Sequence, residues 1–159
     1  MNLRTRILAR CRAIMNRRWP DQVIGGRDDP YLLRWYLIPR NPVFNVYLHQ
    51  FLRSDDDRAL HCHPWANCSI LLEGEYTEHT ILAGGVHRRH ILRAGAIRIR
   101  WSGKFAHRVE LHKGPCTTLF ITGPRVRAWY FHCPERGLVH WRDFVDARDE
   151  GAVGKGCNQ

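Results

Sequence analysis

From Tyr31 onward, hydrophobic and polar residues alternate in short runs, each closed by a turn signal. "RWYLIPR" and "VFNVYLHQFLR" come first and end at "SDDD"; "ALHCH" and "CSILLEGEYTEHTIL" follow and end at "AGG". "VHRRHILR", "AIRIRW", "FAHRVEL", "CTTLFITG", "RVRAWYFHC" and "LVHWRDFV" complete the series, with "AG" and "KGP" among the breaks. A period of two over four to eight residues is the signature of a half-buried strand. Eight or more such strands with almost no helical pattern between them predict an all-β domain, an antiparallel sandwich or barrel. Residues 2 to 18 differ. Leu3, Ile7, Ile14 and Met15 form a partial stripe at helical spacing, crowded by Arg4, Arg6, Arg10, Arg12, Arg17 and Arg18. Pro20 and "GGRDDP" then mark a loop. The chain therefore divides into an N-terminal basic helix and loop (1–30), a β-domain (31–146) and a tail expected to be disordered (147–159).

Alternation also assigns faces. In "AIRIRW", Ile97, Ile99 and Trp101 share one face and Arg98 and Arg100 the other. In "FAHRVEL", Phe105, His107, Val109 and Leu111 lie together, which puts His107 among apolar neighbours on the inward face. His61 and His63 are two apart, so an extended segment projects both in one direction and turns Cys62 the opposite way. Two imidazoles from one strand and a third from a later strand form one face of a mononuclear metal site. Imidazole suits iron, zinc, copper and nickel, and three such ligands leave positions open for water or substrate.

Composition narrows the setting without naming a ligand. A formal charge of +10 on 159 residues favours anionic partners, from a small metabolite to nucleic acid, although arginine-rich outer faces are the stronger account of such a charge. The arginines of the first helix could touch a membrane or nucleic acid; a helix packed on its own domain is the stronger expectation. Six cysteines form no CxxC pair, no segment is long and apolar enough to span a bilayer, and no signal peptide is evident. The expectation is a cytoplasmic protein with free thiols. No P-loop, dinucleotide glycine fingerprint, HExxH or GxSxG occurs.

"HCHPWANCSILLEGEY" resembles the first motif of the cupins, H-x-H-x(3,4)-E-x(6)-G, with His61, His63 and Gly74 in register. "GAIRIRWSGKFAHRVEL" is similar to the second, G-x(5)-P-x-G-x(2)-H-x(3)-N, through Gly95, Gly103 and His107, with one extra residue before His107. The likeness covers about residues 43 to 123, and "HPW", "FITGPRVRAW" and "FHCP" resemble a group of small bacterial and prophage-associated cupins of unassigned activity. The resemblance implies a double-stranded β-helix (a jelly-roll barrel) with one divalent metal on His61, His63 and His107: iron first, with zinc, nickel or manganese as alternatives. It also implies a homodimer.

The departures carry chemistry. Asn67 stands at the motif's glutamate, Asp55 at its leading glycine, Trp101 at the second motif's proline and Leu111 at its asparagine. Asn67 is thus a weak fourth ligand or an orienting group, and Glu73, Glu75 or Glu78 could supply the missing carboxylate. A dipositive ion on three neutral ligands favours an anionic substrate. Three-histidine iron sites among cupins resemble those of thiol dioxygenases, so the expected function is Fe(II)-type dioxygenation of a small anionic molecule. A non-catalytic binding module with a basic surface and a metal-dependent isomerase or hydrolase are the alternatives. Trp65, Trp101 and Phe105 are the expected pocket walls, and His79 and His140 are reserve acid–base candidates. His132 reads as structural, and "HRRHILR" with Arg98 and Arg100 as a solvated basic face.

Overall fold

The computed structural model describes residues 2–26, 28–55, 59–82, 85–148 and 152–158. Helix α1 (Leu3–Arg17) leads into β1 (Gln22–Ile24), β2 (Leu32–Tyr36), β3 (Asn45–Phe51), β4 (Leu60–His61), β5 (Asn67–Glu73) and β6 (Glu75–Ile81). There follow β7 (His87–Arg93), β8 (Ile97–Arg100), β9 (His107–Leu111), β10 (Cys116–Thr122), β11 (Tyr130–Cys133), β12 (Gly137–His140) and the short α2 (Trp141–Phe144). The strands form two antiparallel six-stranded sheets, ordered β1-β2-β3-β10-β5-β8 and β12-β11-β4-β9-β6-β7. This is the all-β jelly roll that the strand pattern and the resemblance led us to expect. Residues 22–24, assigned to a loop by sequence, instead add an edge strand to β2.

Strands β2 and β3 of the first sheet divide their faces between two tasks. Trp35 pairs with Leu48 on the outer face, where both meet Leu8 and Cys11 of α1 and Leu72 of β5. Arg34 pairs with His49, and Leu32 with Phe51, on the face that looks toward the second sheet. Asn2 caps α1 by accepting from Thr5 N at 2.9 Å, a contact of about 1 kcal/mol. The helix is therefore packed on its own domain. Part of its charge is used there too, since Arg4 donates to Leu72 O and Arg12 pairs with Glu73.

Two glycines fix local geometry around the cavity. Gly74 joins β5 to β6 at φ +90°, and a Cβ there would lie 2.5 Å from Cys116 Sγ. Gly103 lies where the loop before β9 crosses the backbone of His63. His63 N donates to Gly103 O at 3.0 Å, and a Cβ at 103 would meet His63 O at 2.3 Å. The contact between the two motifs is thus a backbone approach that tolerates no side chain.

Two expectations need correction. The parity of "AIRIRW" holds but its direction is reversed: Ile97, Ile99 and Trp101 are exposed, Trp101 at 86%, while Arg100 is buried at 6%. Arg100 can point inward because Glu78 neutralises it there. The expected disordered tail is docked over residues 152–158: Val153 bridges Val145, and Cys157 is disulfide-bonded to Cys133. That bond also removes two cysteines from the expected free thiols, whereas Cys11, Cys62, Cys68 and Cys116 remain free. Among the described residues no helix is long and apolar enough to cross a membrane.

Candidate metal centre

Strands β4 and β9 pair with His61 directly opposite His107. Beyond β4 the chain stays extended, with Cys62 N bonded to Tyr130 O and His63 N to Gly103 O, so His63 falls beside His61 while Cys62 is fully buried elsewhere. The three imidazoles form a nearly equilateral triangle with centroid separations of 5.3 Å (61–63), 5.0 Å (61–107) and 5.1 Å (63–107). One nitrogen from each lies within 4.8 Å of the others, and His63 Nε2 is 2.8 Å from His107 Nε2. Among the described residues this is the group of histidine, cysteine and carboxylate side chains that could hold a metal ion.

The protonation of the triad follows from its surroundings. Burial pushes His61 below the ordinary imidazole range, partly offset by Asp55. His63 and His107 are held well below it, first by burial and then by neighbouring cations and imidazoles. His107 Nδ1 has two neighbours: Glu78 Oε1 at 2.8 Å and an Arg100 nitrogen at 3.3 Å. A carboxylate only accepts, so the shorter contact requires the proton on Nδ1 and leaves the lone pair on Nε2. His61 Nδ1 has Asp55 Oδ2 3.8 Å away, and that carboxylate also accepts from Val109 N at 2.5 Å. The donor set therefore suits a divalent ion. Two metal–nitrogen bonds of about 2.1 Å at a right angle separate their nitrogens by about 3.0 Å, close to the 2.8 Å between His63 Nε2 and His107 Nε2.

Behind the triad, Glu78 is 1% exposed and sits between Arg100, its ion-pair partner, and Arg98 Nε at 3.3 Å. Asn67 accepts from Arg100 at 3.3 Å. The Asn67 oxygen is thus engaged by a guanidinium, not by the imidazoles, and the carboxylate of the site comes from β6. Of the three glutamates considered from sequence, Glu73 faces Arg12 and Glu75 faces Arg93; Glu78 alone joins the site.

The triad opens into a cavity of about 220 Å³ between the sheets. Tyr31, His49, Phe51, Phe120, Trp129 and Phe131 supply its aromatic walls, and Arg34 and Arg100 reach it as cations. Trp65 also lines it. Trp101 and Phe105 do not, and lie instead in a separate cleft beside Ile99 and Thr80. His79 and His140 are also elsewhere. His79 shares the outer face of β6 with Thr77, touching Glu110 Oε2 at 2.6 Å and His87 at 3.0 Å, while burial lowers its pKa. His140 caps α2, accepting from Arg142 N at 3.4 Å. Sequence reasoning missed Arg34, His49 and the inward turn of Arg100. The pairing of "RWY" with "YLH" across β2 and β3 was the available signal for the first two.

No known sequence family matches the chain, and neither does any curated protein sequence. Solved structures do. The Fe(II) form of HppE matches with a TM-score of 0.50 and 18% identity, over 66% of this chain and 58% of that one. Hydroxypropylphosphonic acid epoxidase from S. wedmorenis matches equally well, with 18% identity over 66% of this chain and 57% of that one. A mutant of Bacillus subtilis oxalate decarboxylase matches with a TM-score of 0.50 and 16% identity, over 69% of this chain and 29% of that one. The chain thus spans little more than half of the epoxidase and under a third of the decarboxylase. These neighbours share one architecture, and the fold of this chain is the cupin fold.

Proposed function

We propose that the protein is a metal-dependent cupin that uses His61, His63 and His107 to hold one divalent ion and acts on a small anionic molecule, as an Fe(II)-type dioxygenase. The observation that carries this reading is the convergence of three imidazoles, neutral near pH 7, at one end of an aromatic-walled cavity. The iron in HppE, named with that structure, makes iron a reasonable occupant here. Bound iron would supply Lewis acidity and a place for oxygen and substrate to meet.

The chain's own groups provide the rest. Glu78 holds the His107 proton on Nδ1, which keeps Nε2 aimed into the triad; such outer carboxylates raise ligand basicity. Asp55, 3.8 Å from His61 Nδ1, places a negative charge near His61 without hydrogen-bonding it. Phe120 and Phe131 lie 5.6 Å from His63 and 6.0 Å from His61 and exclude water from that side. The cavity is smaller than the ~300–1,000 Å³ of drug-sized sites, which favours a compact substrate.

The test begins with elemental analysis of protein purified without chelators. About one equivalent of divalent metal is expected, lost in His61→Ala and His107→Ala; retention in both variants would refute the site. Oxygen consumption by the iron-loaded protein across thiols, diketones and aromatic acids then tests the reaction class. Turnover without oxygen uptake would redirect the reading to isomerisation or hydrolysis.

A further inference from the structure

Three charged side chains line the cavity: Arg34, Asp55 and Arg100. Two are accounted for. Arg100 is ion-paired with Glu78, and Asp55 accepts from Val109 N beside His61. Arg34 is different. Its Nε donates to His49 Nε2 at 2.8 Å, one terminal nitrogen donates to Gln22 Oε1 at 3.0 Å, and its guanidinium lies 4.9 Å from the centre of the Tyr47 ring. All three partners are uncharged. The bond from Arg34 needs a lone pair on His49 Nε2, and burial together with Arg34 holds that imidazole well below its ordinary pKa.

A guanidinium carries five N–H donors in a planar fork matched to carboxylate. Two of those of Arg34 are used, and among the described residues no acceptor meets the remainder and no carboxylate pairs with it. Trp65 and Trp129 also line the cavity, Trp129 with its ring 6.3 Å from that of His61, and each holds a buried indole N–H with no protein acceptor among the described residues. The cavity therefore holds unused donors, and Arg34 on β2 is its cation without a carboxylate partner among the described residues. Holding a half-buried cation there without a counter-charge is costly, and the ligand is the natural source of that charge.

We propose that Arg34 is the anion anchor of the cavity: it receives a carboxylate of the small molecule through its unused N–H face, while the metal triad addresses the other end of that molecule. The proposal deepens the reading of the cavity as a substrate site and rests on it. Arg34 and the triad project from facing sheets, with Phe120 between them, 5.2 Å from His49 and 5.6 Å from His63. The ligand class is a compact monoanion with an apolar body and acceptor atoms within reach of the two indoles. His49 and Gln22 are positioning residues that hold the fork in place. Benzoate is a suitable probe, since a protein cavity of about 150 Å³ accepts benzene.

The experiment uses the full chain stripped of metal, so that the anion has no ion to bind. Calorimetric titration should show sodium benzoate binding at least tenfold more tightly than benzamide. Arg34→Met should remove that preference by weakening benzoate tenfold or more, with benzamide changed less than twofold and zinc uptake unchanged. Arg34→Lys should retain part of the preference. In the ¹⁵N-labelled wild type, the Arg34 Nε–H resonance should move on adding benzoate, a readout that needs no folded variant. The proposal is overturned if acetate, butyrate and benzoate all leave that resonance unmoved, or if benzoate binds only after zinc is added. Failure of the metal reading would appear separately, as absence of zinc uptake with the Arg34-dependent preference intact.

Discussion

Arg34 and Arg100 reach the same cavity from different strands of one sheet, yet their surroundings are opposite. Arg100 is paired with a buried carboxylate, which also faces Arg98 and His107; Arg34 has an imidazole, an amide and a phenol ring. A buried pair is broken only at a cost, because the abandoned partner keeps its charge in a poor solvent. An uncompensated cation costs stability in the resting protein, and a ligand can return it. The same residue type therefore serves architecture at one end of the cavity and recognition at the other.

The sharpest way to break this comparison is to remove the carboxylate. Glu78→Ala leaves Arg100 without its ion-pair partner and should cost about 3–5 kcal/mol in urea unfolding. Arg34→Met abandons no carboxylate and should stay within about 1 kcal/mol of wild type or exceed it. Equal losses would erase the distinction. Charge-free bracing provides the next contrast. Cys157→Ser opens a loop of sequence separation 24, which chain entropy values at about 3 kcal/mol. Its effect should appear as a lower urea midpoint in the absence of reductant and vanish in its presence.

Metal affinity separates the two ends more finely. Glu78→Gln keeps the shape of the side chain but weakens the orientation of His107, and zinc affinity should fall about 10–100-fold by competition with a chromophoric chelator. The smallest effect concerns protons. The folded-state pKa of His49 lies below its unfolded value, so below about pH 6.5 the unfolded chain binds the proton first. The stability tied to His49 is thus present above that pH and lost as pH falls toward the lowered value, by about 1.4 kcal/mol per unit. His49→Gln should make the pH dependence of apo-protein stability shallower by about 1 kcal/mol per unit between pH 6 and 5. An unchanged slope would remove His49 from the account.

The strand pattern and the helix were legible in the sequence because they are local: parity and helical spacing are set by neighbours along the chain. The parity of His107 and of the His61–His63 pair was readable for the same reason. The direction of "AIRIRW" was not, because parity separates two faces without saying which is buried. That choice depended on Glu78, which reaches Arg100 from the opposite sheet. Asn67 posed the same difficulty. Its substitution for a carboxylate was visible, but the guanidinium that takes its oxygen lies across the β5–β8 pairing. The tail looked disordered because "GAVGKGC" is rich in glycine, and a disulfide partner is invisible to composition.

Strands β7 and β8 each lie at one edge of their sheets, and among the described residues no further strand pairs with that edge. Along β7, Arg88, Arg89 and Arg93 are exposed, and on β8 the buried Arg100 is a charge turned inward on an edge strand. Both devices oppose strand addition. The run read from sequence as a solvated basic face therefore also sets like charges along an edge strand, where they oppose pairing with a second copy. Neutralising Arg88 and Arg89 should therefore lower solubility.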